Sequence, residues 1–93
     1  MDDPNPAVKG LAARSLANLG EQARGSVPKI ISLLKDKDDA VVYSAILALH
    51  QLGAVAEPAL APLKAVADVH KDENVKDGAK DAIKEINQKL KKK

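Results

Sequence analysis

Apolar and polar residues alternate along this chain in a pattern that repeats itself. Three long stretches, about Pro6–Leu19, Asp39–Leu52 and Asn74–Leu90, carry apolar residues three and four positions apart. That spacing gathers them on one side of an α-helix. In the middle stretch the stripe is Val41, Ala45, Ala48, Leu49 and Leu52. Two shorter stretches, about Ser26–Lys35 and Pro58–Val69, have a broader apolar face, with Ile30, Ile31, Leu33 and Leu34 in the first.

The stretches superimpose. Val8, Ala12, Leu16, Leu19 and Gly20 meet Val41, Ala45, Leu49, Leu52 and Gly53, each 33 positions later. One extra residue enters near His70. Beyond it, Val41, Ala45, Leu49 and Leu52 meet Val75, Ala79, Ile83 and Ile86 at an interval of 34. About two and a half copies of a two-helix unit therefore fill a single domain, residues 1–93, with units near 3–22, 23–55 and 56–90. The first copy opens directly on a long helix. The third reads as an atypical C-terminal cap, because Gly78 in mid-helix costs about 1 kcal/mol relative to Ala.

The punctuation agrees with this division. Asn5 before Pro6 predicts a helix cap, and Asp38 with Asp39 predicts another. Pro28 and Pro62 fall near the starts of the short helices, and Pro58 requires the second of these to begin later or to bend. Gly20 and Gly53 stand where a left-handed residue ends a long helix. The expected fold is all-α, a solenoid of stacked helical hairpins with about 2.5 repeats in five helices.

The segment Ser26-Val27-Pro28-Lys29-Ile30-Ile31-Ser32-Leu33-Leu34-Lys35-Asp36, followed by Ala40-Val41, Ala45, Ala48-Leu49 and Leu52-Gly53, resembles the HEAT-repeat family. In particular it is similar to the short HEAT-like repeats of the PBS-lyase type. The resemblance runs from about residue 3 to residue 90. It implies that the short helices form a convex layer and the long helices a concave one. It also implies a basic residue after the repeated Val, which Lys9 and Lys76 supply and Val42 does not.

Composition supports thin, closely packed helices. The chain is 45% hydrophobic and 30% charged, with one Tyr and no Phe, Trp or Cys. Ala and Leu dominate the apolar set, and Ala is both the best helix former and the smallest side chain to pack. The absence of Cys excludes a disulfide framework and a thiolate metal site. The net charge of +2 calls for no polyanionic partner. The apolar stretches are too short for a membrane span, no secretory leader opens the chain, and the compartment stays open.

Candidate chemistry is sparse. Ser15, Ser26, Ser32 and Ser44 have no His at a suggestive spacing, and His50 and His70 lie on different helices without a ligand motif. His50 reads as a surface histidine and His70 as a helix-end residue facing the dipole. The groups Asp36, Asp38, Asp39 and Asp68, Asp72, Glu73 lack the Gly and Glu of a calcium loop and read as caps. No enzyme activity, cofactor or metal is expected. Lys89 and Lys91–Lys93 form a basic tail, but only Arg14 and Arg24 represent arginine, which disfavours nucleic acid as a partner.

The most informative surface is the side of the middle long helix opposite its stripe. Tyr43, Leu47 and His50 share one face, with Ile46 and Gln51 flanking them. Their counterparts are Gly10, Arg14 and Ala17 in the first unit and Asp77, Asp81 and Lys84 in the third. Tyr43, Leu47, His50, Gln51, Arg14 and Asp81 thus compose a predicted protein-binding patch with an apolar centre and a charged rim. The expected role is a non-enzymatic interaction or scaffolding module whose partner is another protein. Two alternatives are a nucleic-acid-binding piece using the lysines, and a structural fragment of a longer HEAT-repeat protein such as a bilin lyase-like subunit. Either the first helix is an N-terminal cap, or the chain is a piece of a longer solenoid, in which case Val8, Leu11 and Ser15 form an unpaired apolar edge through which it could self-associate.

Overall fold

The computed structural model describes residues 6–91, with side chains from Val8 onward. Five α-helices follow one another: α1 (Pro6–Ala17), α2 (Val27–Leu33), α3 (Asp39–Leu52), α4 (Leu60–Val69) and α5 (Glu73–Lys91). Two 3-10 segments, Gly20–Ser26 and Gly53–Ala59, lead into α2 and α4. They fuse the helices into four unbroken helical runs, and the described residues contain no strand. Among the described residues the fold is all-α, a repeat of stacked helical hairpins.

The long helices α1, α3 and α5 lie side by side, and the short helices with their 3-10 segments form a second layer against them. The result is a slab of 38 × 28 × 15 Å. Helix α3 sits in the centre. Its Val41, Val42, Ala45, Ile46, Ala48 and Leu49 are completely buried. The core is continued by Ala13 from α1, Ile30 from α2, Leu63 from α4 and Val75, Ala79, Ala82 and Ile86 from α5.

Local chemistry fixes the ends of α3. Asp38 has extended backbone angles, and its Oδ1 accepts the Ala40 N–H at 2.8 Å. It thereby satisfies one of the donors that an α-helix leaves free at its start. Asp72 does the same for α5, accepting from the Asn74 and Val75 N–H groups at 2.8 and 3.2 Å. Gly53 closes α3 with φ of 59°, its N–H donating to the Leu49 and His50 carbonyls. A side chain there would be strained by the left-handed backbone. The cap predicted at Asn5 lies outside the described residues.

The structure departs from the sequence pattern in two places. Helix α1 stops at Ala17, and Leu19 is left about half exposed. The stretches after Gly20 and Gly53 are 3-10 helices, not loops. The first tucks Ala23 completely into the core and the second Ala56 and Ala59, which brings the chain over tightly enough for i to i+3 bonding. The later start that Pro58 requires is observed: Pro58 lies within the second segment, and α4 starts at Leu60 with Pro62 in its first turn.

The helical run Asp39–Val69 passes a length and hydropathy test for crossing a membrane. It is not one straight helix. It bends at Gly53, its α-helical parts are 14 and 10 residues long, and 56% of its most apolar window is buried in the protein. A span needs about 20 residues of continuous α-helix.

Candidate protein-binding surface

Burial leaves α3 a single open strip. Packing takes up most of its circumference, and what remains beyond the first residue, Asp39, is Ala40, Tyr43, Ser44, Leu47, His50 and Gln51. Tyr43, at 39% exposure, is the only large apolar residue of α3 that counts as exposed, and Leu47 and His50 are half-buried. The flanking helices are held in register by three contacts. Gly10 of α1 lies against Ser44, where an added Cβ would come within 2.8 Å of the hydroxyl. Gln51 Nε2 donates to Asn18 Oδ1 at 2.7 Å. On the other side the Tyr43 ring rests on Gly78 of α5, with Cε1 3.1 Å from where a Cβ would stand.

These contacts place the six predicted residues across three adjacent helices. Arg14 is one turn beyond Gly10 and Asp81 nearly one turn beyond Gly78, so both flank the Leu47 level of α3. Each is exposed, and neither has an ion-pair partner among the described residues. Gln51 is tied to Asn18, a residue the sequence pattern passed over although it stands 33 positions before Gln51. Tyr43 serves two purposes at once, since one side of its ring packs on α5 while the rest faces solvent. Gly78 is therefore the space into which Tyr43 fits, which gives a packing reason for a glycine that weakens the helix.

At one end of the strip a cleft of about 310 Å³ opens between the starts of α3 and α5, lined by Asp39, Ala40, Tyr43, Asp72, Asn74 and Val75. Its carboxylates already have structural tasks. Asp72 caps α5, and Asp39 Oδ1 lies 3.4 Å from His70 Nε2. The His70 imidazole is not a simple dipole partner as the sequence suggested. It follows the end of α4 in extended conformation, and its Nδ1 accepts the Asp72 N–H at 3.0 Å. That assigns the ring proton to Nε2, facing Asp39.

The corresponding loop before α3 holds Asp36 in the position of His70. Asp36 Oδ1 accepts the Asp38 N–H at 2.9 Å, and its Oδ2 takes a hydrogen bond from Lys9 Nζ at 2.8 Å. The Lys9 ammonium, together with the Asp38 N–H, holds the Asp36 carboxyl below the usual aspartate range. The tail lysine Lys89 is engaged too. Its stem covers Gly53, and its ammonium lies 3.7 Å from Glu85. Lys92 and Lys93 lie outside the described residues. Among the described residues no three His, Cys, Asp or Glu side chains gather where they could hold a metal ion.

A family profile described as HEAT repeats matches residues 1–84. No curated protein and no solved structure matches the chain.

Proposed function

The chain belongs to the HEAT-repeat family, and from that premise we propose that it is a protein-binding module using the open strip of α3. HEAT repeats generally mediate protein–protein interaction, and the family is typically non-enzymatic. The observation that carries the proposal is the strip itself. A central helix otherwise walled in on every side leaves out its one aromatic residue, together with Leu47, His50 and Gln51.

The proposed surface is the exposed side of the long-helix layer. Tyr43 and Leu47 form its centre, with Arg14 on one flank and Asp81 on the other. An aromatic residue with one side fixed against Gly78 loses little conformational freedom on binding, which favours it as an anchor. Arg14 and Asp81 are unpaired charges of opposite sign, suited to orient a partner along the strip. Truncating Tyr43 or Leu47 is expected to cost about 1–3 kcal/mol of binding.

The test compares capture from a lysate by the wild type and by a Tyr43→Ala, Leu47→Asp double variant, both first shown to be equally helical by circular dichroism. A protein retained by the wild type and lost by the variant supports the surface. Identical capture by both overturns it. Nucleic acid released from both at low salt would move the function to the lysines of α5, because phosphate contacts weaken steeply with ionic strength.

A further inference from the structure

We propose that the turn before α5 is a proton-sensitive joint, in which protonation of His70 releases the start of α5 while the ring keeps its hold on α3. Three residues build the joint. His70 Nδ1 accepts the Asp72 N–H at 3.0 Å, and Asp72 Oδ1 in turn accepts the Asn74 and Val75 N–H groups at the start of α5. On the other side of the ring, Nε2 faces Asp39 Oδ1 of α3 at 3.4 Å.

The same turn exists one unit earlier with a different acceptor. There Asp36 accepts the Asp38 N–H, and Asp38 accepts the Ala40 N–H. Asp36, Asp38 and Ala40 stand 34 positions before His70, Asp72 and Asn74. The repeated turn therefore uses a side-chain acceptor at this position, and two different side chains supply it. A carboxylate keeps its lone pairs through neutral and mildly acidic pH. An imidazole gives up its one accepting nitrogen when it takes a proton, which imidazoles do between about pH 5 and 8.

A proton on Nδ1 turns the acceptor into a second donor, so the ring and the Asp72 N–H repel. Asp39 acts in the opposite sense, because its carboxylate attracts the cation at Nε2. The other charged groups around the ring come from the turn and from α2. Lys71, Asp72 and Glu73 follow His70 in the chain, and Lys35 shares with it an apolar groove lined by Ile31, Leu34, Val66 and Val69. The His70 side chain is 16% exposed, so a solvent proton reaches it.

Asp72 carries the change into α5. Its backbone donates to the ring while its side chain caps the helix, so freeing the N–H loosens the cap as well. Asn74 and Val75, which the cap holds, line the cleft beside Tyr43. Acidification is thus felt at one end of the α3 strip, while the turn at Asp36 stays closed.

NMR of the 15N-labelled full chain from about pH 8 to pH 5 tests this. At the upper end the His70 ring is expected to carry its proton on Nε2. As the ring titrates, the Asp72 amide proton is expected to shift upfield with the same midpoint. Its order parameter is expected to fall from about 0.85 to below about 0.6. The Asp38 amide is expected to stay unchanged over that range. His70→Asn keeps a side-chain acceptor that does not titrate, so in this variant the Asp72 response is expected to disappear. His50→Gln, which removes the other histidine, is expected to leave it intact. A ring proton on Nδ1 at about pH 8, or an Asp72 amide that does not follow the His70 titration, overturns the proposal. So does a response that survives in His70→Asn or is lost in His50→Gln. None of these outcomes depends on a partner for the Tyr43 strip.

Discussion

The two junctions between long helices perform one task with opposite distributions of bulk and charge. Where α1 meets α3, the incoming helix is small: Gly10, Ala13 and Ala17 face it, and Gly10 touches Ser44. Where α3 meets α5, the same three positions hold Tyr43, Ile46 and His50, and the receiving helix has Gly78 in place of Ser44. The bulk has grown on one side of the junction, and the receiving residue has lost its side chain. Charge behaves in the same way. At the first junction a base on the helix, Lys9, meets an acid in the loop, Asp36. At the second an acid on the helix, Asp39, meets a histidine in the loop, His70. In both loops the side chain also accepts the backbone N–H two residues on. A junction constrains the pair of residues that meet and leaves each partner free to vary.

The largest effect that can break this symmetry comes from Ile46. Replacing it by Ala makes the second junction copy the first, which has Ala13 at that place. A helix set off by Tyr43 cannot follow into the space, so Ile46→Ala is expected to cost about 2–5 kcal/mol in urea unfolding. A loss below about 1 kcal/mol would show that α5 closes onto α3 freely.

Next come the two glycines. Gly10→Ala brings Cβ to within 3.2 Å of the Ser44 Cβ, an atom fixed to the backbone, as well as 2.8 Å from the hydroxyl. Overpacking of about 1–3 kcal/mol is expected to exceed the gain of about 1 kcal/mol in helix propensity. Gly78→Ala meets only the edge of a partly exposed ring and an Ile46 methyl, so its two contributions are expected to cancel within about 0.5 kcal/mol. In a Tyr43→Ala background the same change should stabilise by about 1 kcal/mol. A double-mutant cycle without coupling would show that Tyr43 does not need the glycine.

A smaller effect is expected from His70→Ala. It removes the acceptor of the Asp72 N–H at a partly exposed position, at a cost of about 0.5–1.5 kcal/mol. The mildest effect is a dependence on pH at the first junction. Because the folded state lowers the Asp36 pKa, its contribution is fully present above the unfolded value and is lost as pH falls through the folded one. Lys9→Met is therefore expected to lower stability slightly at pH 7, where that contribution is fully present, and to change little in strong acid, where it is already lost, so that the acid limb of the stability profile flattens. An unchanged acid limb would assign the acid sensitivity to other carboxylates.

The repeat was legible in the sequence because every unit places Ala, Val and Leu on the same helical face, and the position of the extra residue near His70 was legible too. Gly53 marked the end of α3 correctly, whereas α1 ends at Ala17, three residues before Gly20. The 3-10 segments were not legible. Gly20–Ser26 and Gly53–Ala59 share little beyond a glycine and one buried alanine, and seven residues are too few for a period to declare itself. The partners of Lys9 and His70 were hidden for another reason: each is 27 or more positions away, in a different element. For the candidate surface, helical spacing alone placed Tyr43, Leu47 and His50 on one face. That Tyr43 would be half occupied by Gly78 required knowing how α5 lies against α3.

The single residue Gly53 has a geometric reach beyond its own turn. Helices α3 and α4 belong to one continuous helical ribbon, and the angle between the long helix of one unit and the short helix of the next is set where that ribbon bends. The stem of Lys89 lies across the bend and braces it from outside. In an array of such units, a change of a few degrees at the corresponding glycine is multiplied by the number of repeats. The radius and pitch of the superhelix, and with them the width of any partner it can wrap, are then written in the dihedral angles of a residue that has no side chain.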